Sequence, residues 1–304
     1  MILAALGHAV LAAACSVSAP GVGPLPASAL SVRAGAGWVQ WWRSDRAPAQ
    51  YDSATVTGPL ARAVTWTPGA SGVEWAEVEL SGSGEAWRTR LVAVRIDPRR
   101  VTIALDTAFD GVRPAWSIER AGGALVAFNA GQFARSMPWG GVILDGREFL
   151  GASVAPLATA VTVTRDGAIR FTHAAAPDTT GVRWAFQSYP TLMAGAAVPV
   201  PLRHAGCGVD VAHRDARLAL GIAGDGRLLV ALTRFDAAGP ALGRVPFGLT
   251  TPEMAAVMGA LGATDAVALD GGISAQLLIR DAAGRPREFP GSRRVPLALV
   301  VRAR

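Results

Sequence analysis

An apolar run from Ala266 to Leu269 ends in Asp270, Gly271, Gly272, Ile273 and Ser274. The glycine pair permits positive φ and lets a ligand approach main-chain amides closely, at an entropic cost that a plain turn need not carry. A carboxylate and a hydroxyl on such a loop suit a polar ligand better than a core, although the run alone also fits an ordinary strand-to-loop turn. Three further segments repeat the design and deliver polar groups beside small residues. They are Val126 to Phe133 with Asn129, Phe186 to Pro190 with Gln187, and His213 to Ile222 with His213 and Arg217.

Each of these residues also has a purely structural reading. Asn129 and Gln187 can serve buried main-chain groups, the usual duty of interior amides. Arg217 can be a surface strand residue and His213 a half-exposed strand histidine. Ser274 reads as a loop hydrogen-bonder, since its surroundings lack the G-x-S-x-G elbow of a hydrolase nucleophile. All 29 basic residues are Arg, which excludes a Schiff-base lysine or a Walker lysine. No set of His, Cys and carboxylates has zinc spacing, so no metal site is expected. A hard cation, Ca²⁺ or Mg²⁺, at Asp270 is left open. His173 and His204 carry no signal.

The elements that must hold these groups are mostly strands. Three Asp-Gly pairs, Asp145-Gly146, Asp166-Gly167 and Asp225-Gly226, sit between apolar or alternating runs and predict type I′ hairpins. The longest hairpin runs from Leu218 to Ile222 and returns through Leu228 to Leu232. One helix is well marked: Thr251 as N-cap, Pro252 in the first position, Met254, Val257, Met258 and Leu261 on one face, and Gly262 as the stop. Its apolar face is expected on a sheet, beside the Ala266 to Leu269 strand. A weaker helix is predicted from Pro114 to Ala121. Most of the nine Trp residues, Trp139 being a special case, are expected in the core. The expectation is an α+β fold, a β-rich mixed or antiparallel sheet with a few packed helices. It forms a single main domain without repeats.

The 304 residues suffice for one large core. A net charge of +6 comes from scattered Arg without interleaved aromatics, so no nucleic-acid partner is expected, only a mild pull on anionic sugars, phosphates or envelope polymers. Mean hydropathy is +0.31, yet nothing after residue 16 is long and uncharged enough to cross a bilayer. Residues 1–16 look like a secretory signal without its positive n-region, and residues 17–36 like a flexible linker, which leaves 37–304 as the domain. Export to the periplasm or beyond is expected. Leu11 to Cys15 is lipobox-like, which makes Cys15 a candidate for lipid attachment to a membrane. Cys207 then lacks a partner and reads as a buried small residue, with no disulfide expected.

Taken in order, six runs resemble the phosphodiester glycosidase family, whose bacterial members show N-A-G-F-F or N-G-G-F-F, Q-S-x-P-x-L, R-T-A-I-G, G-L-T-x-x-E-L-A, N-L-D-G-G-G-S-S and R-x-V-P. Here they are Asn129 to Phe133, Gln187 to Leu192, Arg217 to Gly221, Gly248 to Ala255, Asp270 to Ser274, and Arg294 to Pro296. The resemblance covers roughly residues 70–304 and is strongest over 121–304; the ordered set is far more specific than any one run. Departures are Gln132, Leu218, Ala268, Ile273 and Ala275.

The resemblance implies hydrolysis of a sugar C1–phosphate bond in a glycan phosphodiester of the N-acetylglucosamine-1-phosphodiester type. Phosphate is a stable leaving group, so the site needs less acid help than the two-carboxylate glycosidases. It needs a cation for phosphate, donors for hydroxyls and one carboxylate. The implied catalytic residues are Arg217, which can grip phosphate with two parallel hydrogen bonds, with Asp270 and Asn129. The implied substrate-binding residues are Gln187, Ser274, His213 and the amides of Gly271 and Gly272. Two alternatives remain. One is a non-catalytic glycan- or envelope-binding domain, which the departures at Gln132, Leu218 and Ile273 favour. The other is a phosphodiesterase that cuts P–O.

Overall fold

Strands that must be covered on both faces read as continuous apolar runs, and Leu218–Ala223 and Leu228–Phe235 are such runs. In the computed structural model, which describes residues 15–52, 58–108, 116–153, 155–173, 179–237 and 245–304, they pair at the centre of a nine-stranded antiparallel sheet. From one edge the main order is Thr191–Met193, Ala263–Ala268, Leu218–Ala223, Leu228–Phe235, Thr89–Ile96, Val73–Gly82, Ala29–Ala34 and Gly37–Arg43.

The two faces differ in side-chain size. One presents small residues, Ala219, Ala231 and Ala266, to the helix Thr251–Ala260. Gly221 makes this approach possible: a Cβ there would lie 2.9 Å from Met258 Cε and 2.7 Å from the Asp265 carbonyl oxygen. The other face presents Leu218, Leu220, Val230, Leu232 and Val267 to a second core. Two five-stranded sheets close that core. One contains Val126–Asn129, Leu277–Arg280 and Leu297–Ala303; the other contains Val142–Leu144, Thr159–Thr164 and Val182–Ser188. His173, silent in the sequence, pairs with Asp265 at 2.8 Å and ties the latter sheet to the first.

The structure corrects several expectations. The fold is mostly β rather than a balanced α+β: only two α-helices, Pro59–Ala63 and Thr251–Ala260, occur among the described residues of this single domain. The long helix is capped by Thr250, one residue early, because Glu253 three positions on completes a capping box. All ten of its residues are buried, not one face, because Trp42, Tyr51, Leu60, Val198 and Leu202 join the core around it. Gly259 lies under Tyr51, whose ring a Cβ would meet at 2.6 Å.

Of the three Asp-Gly hairpins, only Asp145-Gly146 has both φ positive, at 48° and 77°. At Asp166-Gly167 and Asp225-Gly226 the turns are longer, and the aspartate accepts a hydrogen bond from an amide two residues on. Near the predicted Pro114 helix there is a short 3-10 turn at Ile118–Ala121, and residues 109–115 lie outside the described set. Trp42, Trp116 and Trp184 are core residues, whereas Trp38 and Trp87 are exposed.

The amino-terminal region also differs. Residues 1–14 lie outside the described set, but Ala29–Ala34, inside the stretch read as a linker, is a strand of the large sheet. Cys15 is disulfide-bonded to Cys207, with Cα atoms 5.4 Å apart. Cys207 is therefore neither partnerless nor a buried small residue; it sits half-buried, and the Cys15 sulfur is bonded to it rather than free for acylation.

Candidate active site

Antiparallel pairing of Ala219 with Ala268 puts the residues before one strand and after the other at the same end of the paired strands. His213 to Arg217 and Asp270 to Ser274 therefore become neighbours. Leu269 N donates to Leu218 O at 2.8 Å, and Gly272 N to Ala216 O at 2.7 Å. A third strand, Val126–Asn129, arrives from a different sheet, and Asp270 N donates to Ala130 O.

Asn129 is fully buried and spans the loop. Its Nδ2 donates to Asp270 O at 2.8 Å and its Oδ1 accepts from Gln276 N at 2.9 Å. Both ends of the amide are thus spent on main chain, and Asn129 fixes where Asp270 leaves its strand.

Burial raises the Asp270 carboxyl to about 6, against a hydrogen bond from Ser274 and the charge of Arg293, which pull it down; the nearby Asp215 charge adds to the rise. Asp215 itself is raised by burial, with Arg217 opposing. Its carboxylate lies over Gly272, where φ is +58° and a Cβ would meet Oδ2 at 2.8 Å, so side-chain-free backbone is required there. Asp215 thus joins Asp270 as a second carboxylate that the sequence reading passed over. It was the one acid between His213 and Arg217, and that was its only signal.

Arg217 is half-buried, which pulls its guanidinium below its ordinary value while Asp215 pulls it back. Nε donates to Leu249 O at 2.8 Å and Nη2 to His213 O at 2.6 Å, so the head group is braced by main chain rather than by a direct carboxylate pair. His213 is exposed, its Nε2 3.7 Å from Asp215 Oδ2. Beneath them Arg214 makes a two-point pair with Glu253, at 2.7 and 2.8 Å. Glu253 is wholly buried at the helix start and also receives the Ser28 hydroxyl. This pair locks the 213–217 segment to the helix, and neither residue was singled out from the sequence.

Gln187 spends its whole side-chain amide on main chain. Its Oε1 accepts from Gly141 N and Ser153 N, both at 2.7 Å, and its Nε2 donates to Ser153 O at 2.8 Å. Gln132, one of the departures, likewise clasps main chain: it accepts from Ser188 Oγ and Tyr189 N and donates to Tyr189 O, beside the cis Tyr189–Pro190 bond. Trp139 packs near Tyr189, ring centroids 6.1 Å apart. Ser274 is buried, and the Gly272 amide is taken by Ala216.

The 213–217 and 272–273 edges open on a cleft of about 630 Å³, lined by Glu85, His213, Arg214, Asp215, Phe247 and Ile273 among others. Among the described residues, no three His, Cys, Asp or Glu side chains gather as a metal cluster. The Asp270 carboxyl, raised to about 6, the Asp215 carboxylate and the braced Arg217 guanidinium lie close enough to act on one another's charge, with Asp215 and His213 on the cleft wall.

The chain belongs to the phosphodiester glycosidase family, whose sequence model matches residues 122–302. Among solved structures it is similar to the catalytic domain of zebrafish N-acetylglucosamine-1-phosphodiester alpha-N-acetylglucosaminidase, described as auto-inhibited by its pro-peptide. The identity is 15% and the TM-score 0.58, over 84% of this chain and 95% of that one. A hypothetical protein from Synechocystis is similar at 15% identity and TM-score 0.52; the alignment takes in 77% of this chain and 62% of that protein's length. At such identities the likeness carries the fold alone. No curated protein matches the sequence.

Proposed function

We propose that the protein is an exported hydrolase that cleaves the bond between an anomeric carbon and phosphate in glycan phosphodiesters of the N-acetylglucosamine-1-phosphodiester type. The observation that carries this reading is the meeting of Asp270, Asp215 and Arg217 at the ends of two paired strands, where burial holds the Asp270 carboxyl at about 6.

In this reading Arg217 holds the phosphate, which leaves as a monoester anion and needs little protonation. Asp270 takes a proton from the water that adds to C1, a task suited to a carboxylate with a raised pKa. Asp215 adds negative charge where positive charge develops on the sugar ring. Ser274 orients Asp270, and the Gly271 amide and His213 remain available for substrate oxygens. Asn129 and Gln187 act by positioning main chain. The Cys15–Cys207 disulfide supports an oxidising compartment outside the cytosol.

The test is release of free sugar and phosphate monoester from N-acetylglucosamine-1-phosphodiesters, repeated with Asp270→Asn and Arg217→Ala. The expected loss is about 10²–10⁴-fold for Asp270→Asn, the usual worth of a general base. Unchanged turnover in both variants would remove this site assignment.

A further inference from the structure

Three aromatic rings run in a row from the cleft wall. Phe247, 42% exposed, lines the cleft wall, and Trp87, 50% exposed, follows Glu85 on the same 3-10 turn. The buried Phe235 is wedged between them, 5.9 Å from Trp87 at 70° and 5.3 Å from Phe247 at 82°. Edge-to-face contacts of this kind fix ring orientation, so two large exposed rings are held rigid by a buried third. Large rings left in water beside a catalytic cleft cost solubility without adding to the core, and call for a ligand.

The charges around the rings narrow the choice. Glu85 lies on the cleft side and Arg88 stacks 5.4 Å from Trp87. Arg88 also borders a second groove of about 350 Å³ with Arg33, Trp38, Glu79 and Asp236. Cations and carboxylates alternate here, which disfavours an anionic lipid surface and suits a neutral, hydroxyl-rich ring with one apolar C–H face.

We infer that Trp87 and Phe247 form an aglycone subsite, which takes a pyranose ring of the glycan beyond the phosphate. This rests on the proposed function for its direction along the substrate, but its test does not need turnover. The Asp270→Asn protein is titrated calorimetrically with two non-cleaved α-N-acetylglucosamine-1-phosphodiesters, one with a methyl aglycone and one with a hexopyranosyl aglycone. The hexopyranosyl diester is expected to bind at least about tenfold tighter, the scale of a well-packed aromatic anchor. Trp87→Leu, at a half-exposed position whose apolar bulk it keeps, is expected to erase that difference while circular dichroism stays unchanged; Phe247→Leu is expected to reduce it.

Equal affinities for the two diesters, or a difference that survives Trp87→Leu, overturn the subsite. So does a long-chain alkyl aglycone that binds at the rings more tightly than the sugar. Absence of turnover in the wild-type protein together with a ring-dependent sugar preference would sink the hydrolase reading and leave the subsite standing.

Discussion

Asp270 is the residue on which chemistry and stability pull in opposite directions. Its carboxyl is raised to about 6 in the folded protein, so the fold binds its proton more tightly than the unfolded chain does. The stability this contributes is present below the unfolded value near 4 and is lost as pH rises through about 6, at a cost of about 3 kcal/mol on the alkaline side. Asp270→Asn keeps an acceptor for Ser274 and removes the buried charge. Denaturant melts at pH 8 should show it more stable than wild type by up to about 3 kcal/mol, and equal or less stable at pH 4. Wild-type kcat/KM should fall as pH drops through about 6, as the base takes up its proton in the free enzyme. The Asp270 loop was legible as the end of a strand, from the apolar run that stops at a carboxylate and two glycines. Asp215 was not, since nothing in its neighbours says that it leans over Gly272. Asn129 and Gln187 were legible as buried amides but not in their duty, because which main-chain groups they satisfy is set by strands from three sheets.

At the scale of elements, the site stands on a junction between a helix start and a strand start. Glu253 and Arg214 are nearly sealed from water, at 0% and 12% side-chain exposure, so removing one strands the other's charge. Glu253→Ala should cost about 3–5 kcal/mol of unfolding free energy in denaturant melts, well beyond the loss of a helix cap alone. Gly272→Ala sets a Cβ 2.8 Å from the Asp215 carboxylate at φ +58°. It should cost about 1–3 kcal/mol and lower kcat more than it raises KM if the displaced Asp215 carboxylate has the role proposed for it at the sugar ring. Hairpins and the long helix were readable from Asp-Gly pairs and from Thr-Pro followed by apolar periodicity. The helix's burial on every side was not, because its outer cover comes from Trp42, Tyr51, Leu60, Val198 and Leu202, far away in sequence.

The whole molecule is an antiparallel sheet with a small-residue face for the helix and a large-residue face for two further sheets, and the cleft opens beside the 212–215 segment and the 272–273 loop. The Cys15–Cys207 bond closes a loop of 192 residues and pins the amino-terminal segment to the 205–208 turn, where Gly206 meets the Gly21 carbonyl oxygen with no room for a Cβ. Reduction, or Cys15→Ser, should lower stability by about 2–4 kcal/mol, seen as a lower Tm in melts with and without reductant. Two cysteines this far apart announce a lipobox and a lone thiol as readily as a bridge, and only the fold chooses between them. The account as a whole turns on which bond breaks. Hydrolysis of an N-acetylglucosamine-1-phosphodiester in ¹⁸O-labelled water should place the label on the anomeric hydroxyl of the released sugar and leave the phosphate monoester unlabelled. Label found in the phosphate would contradict attack at C1, and with it the roles given to Asp270 and Arg217.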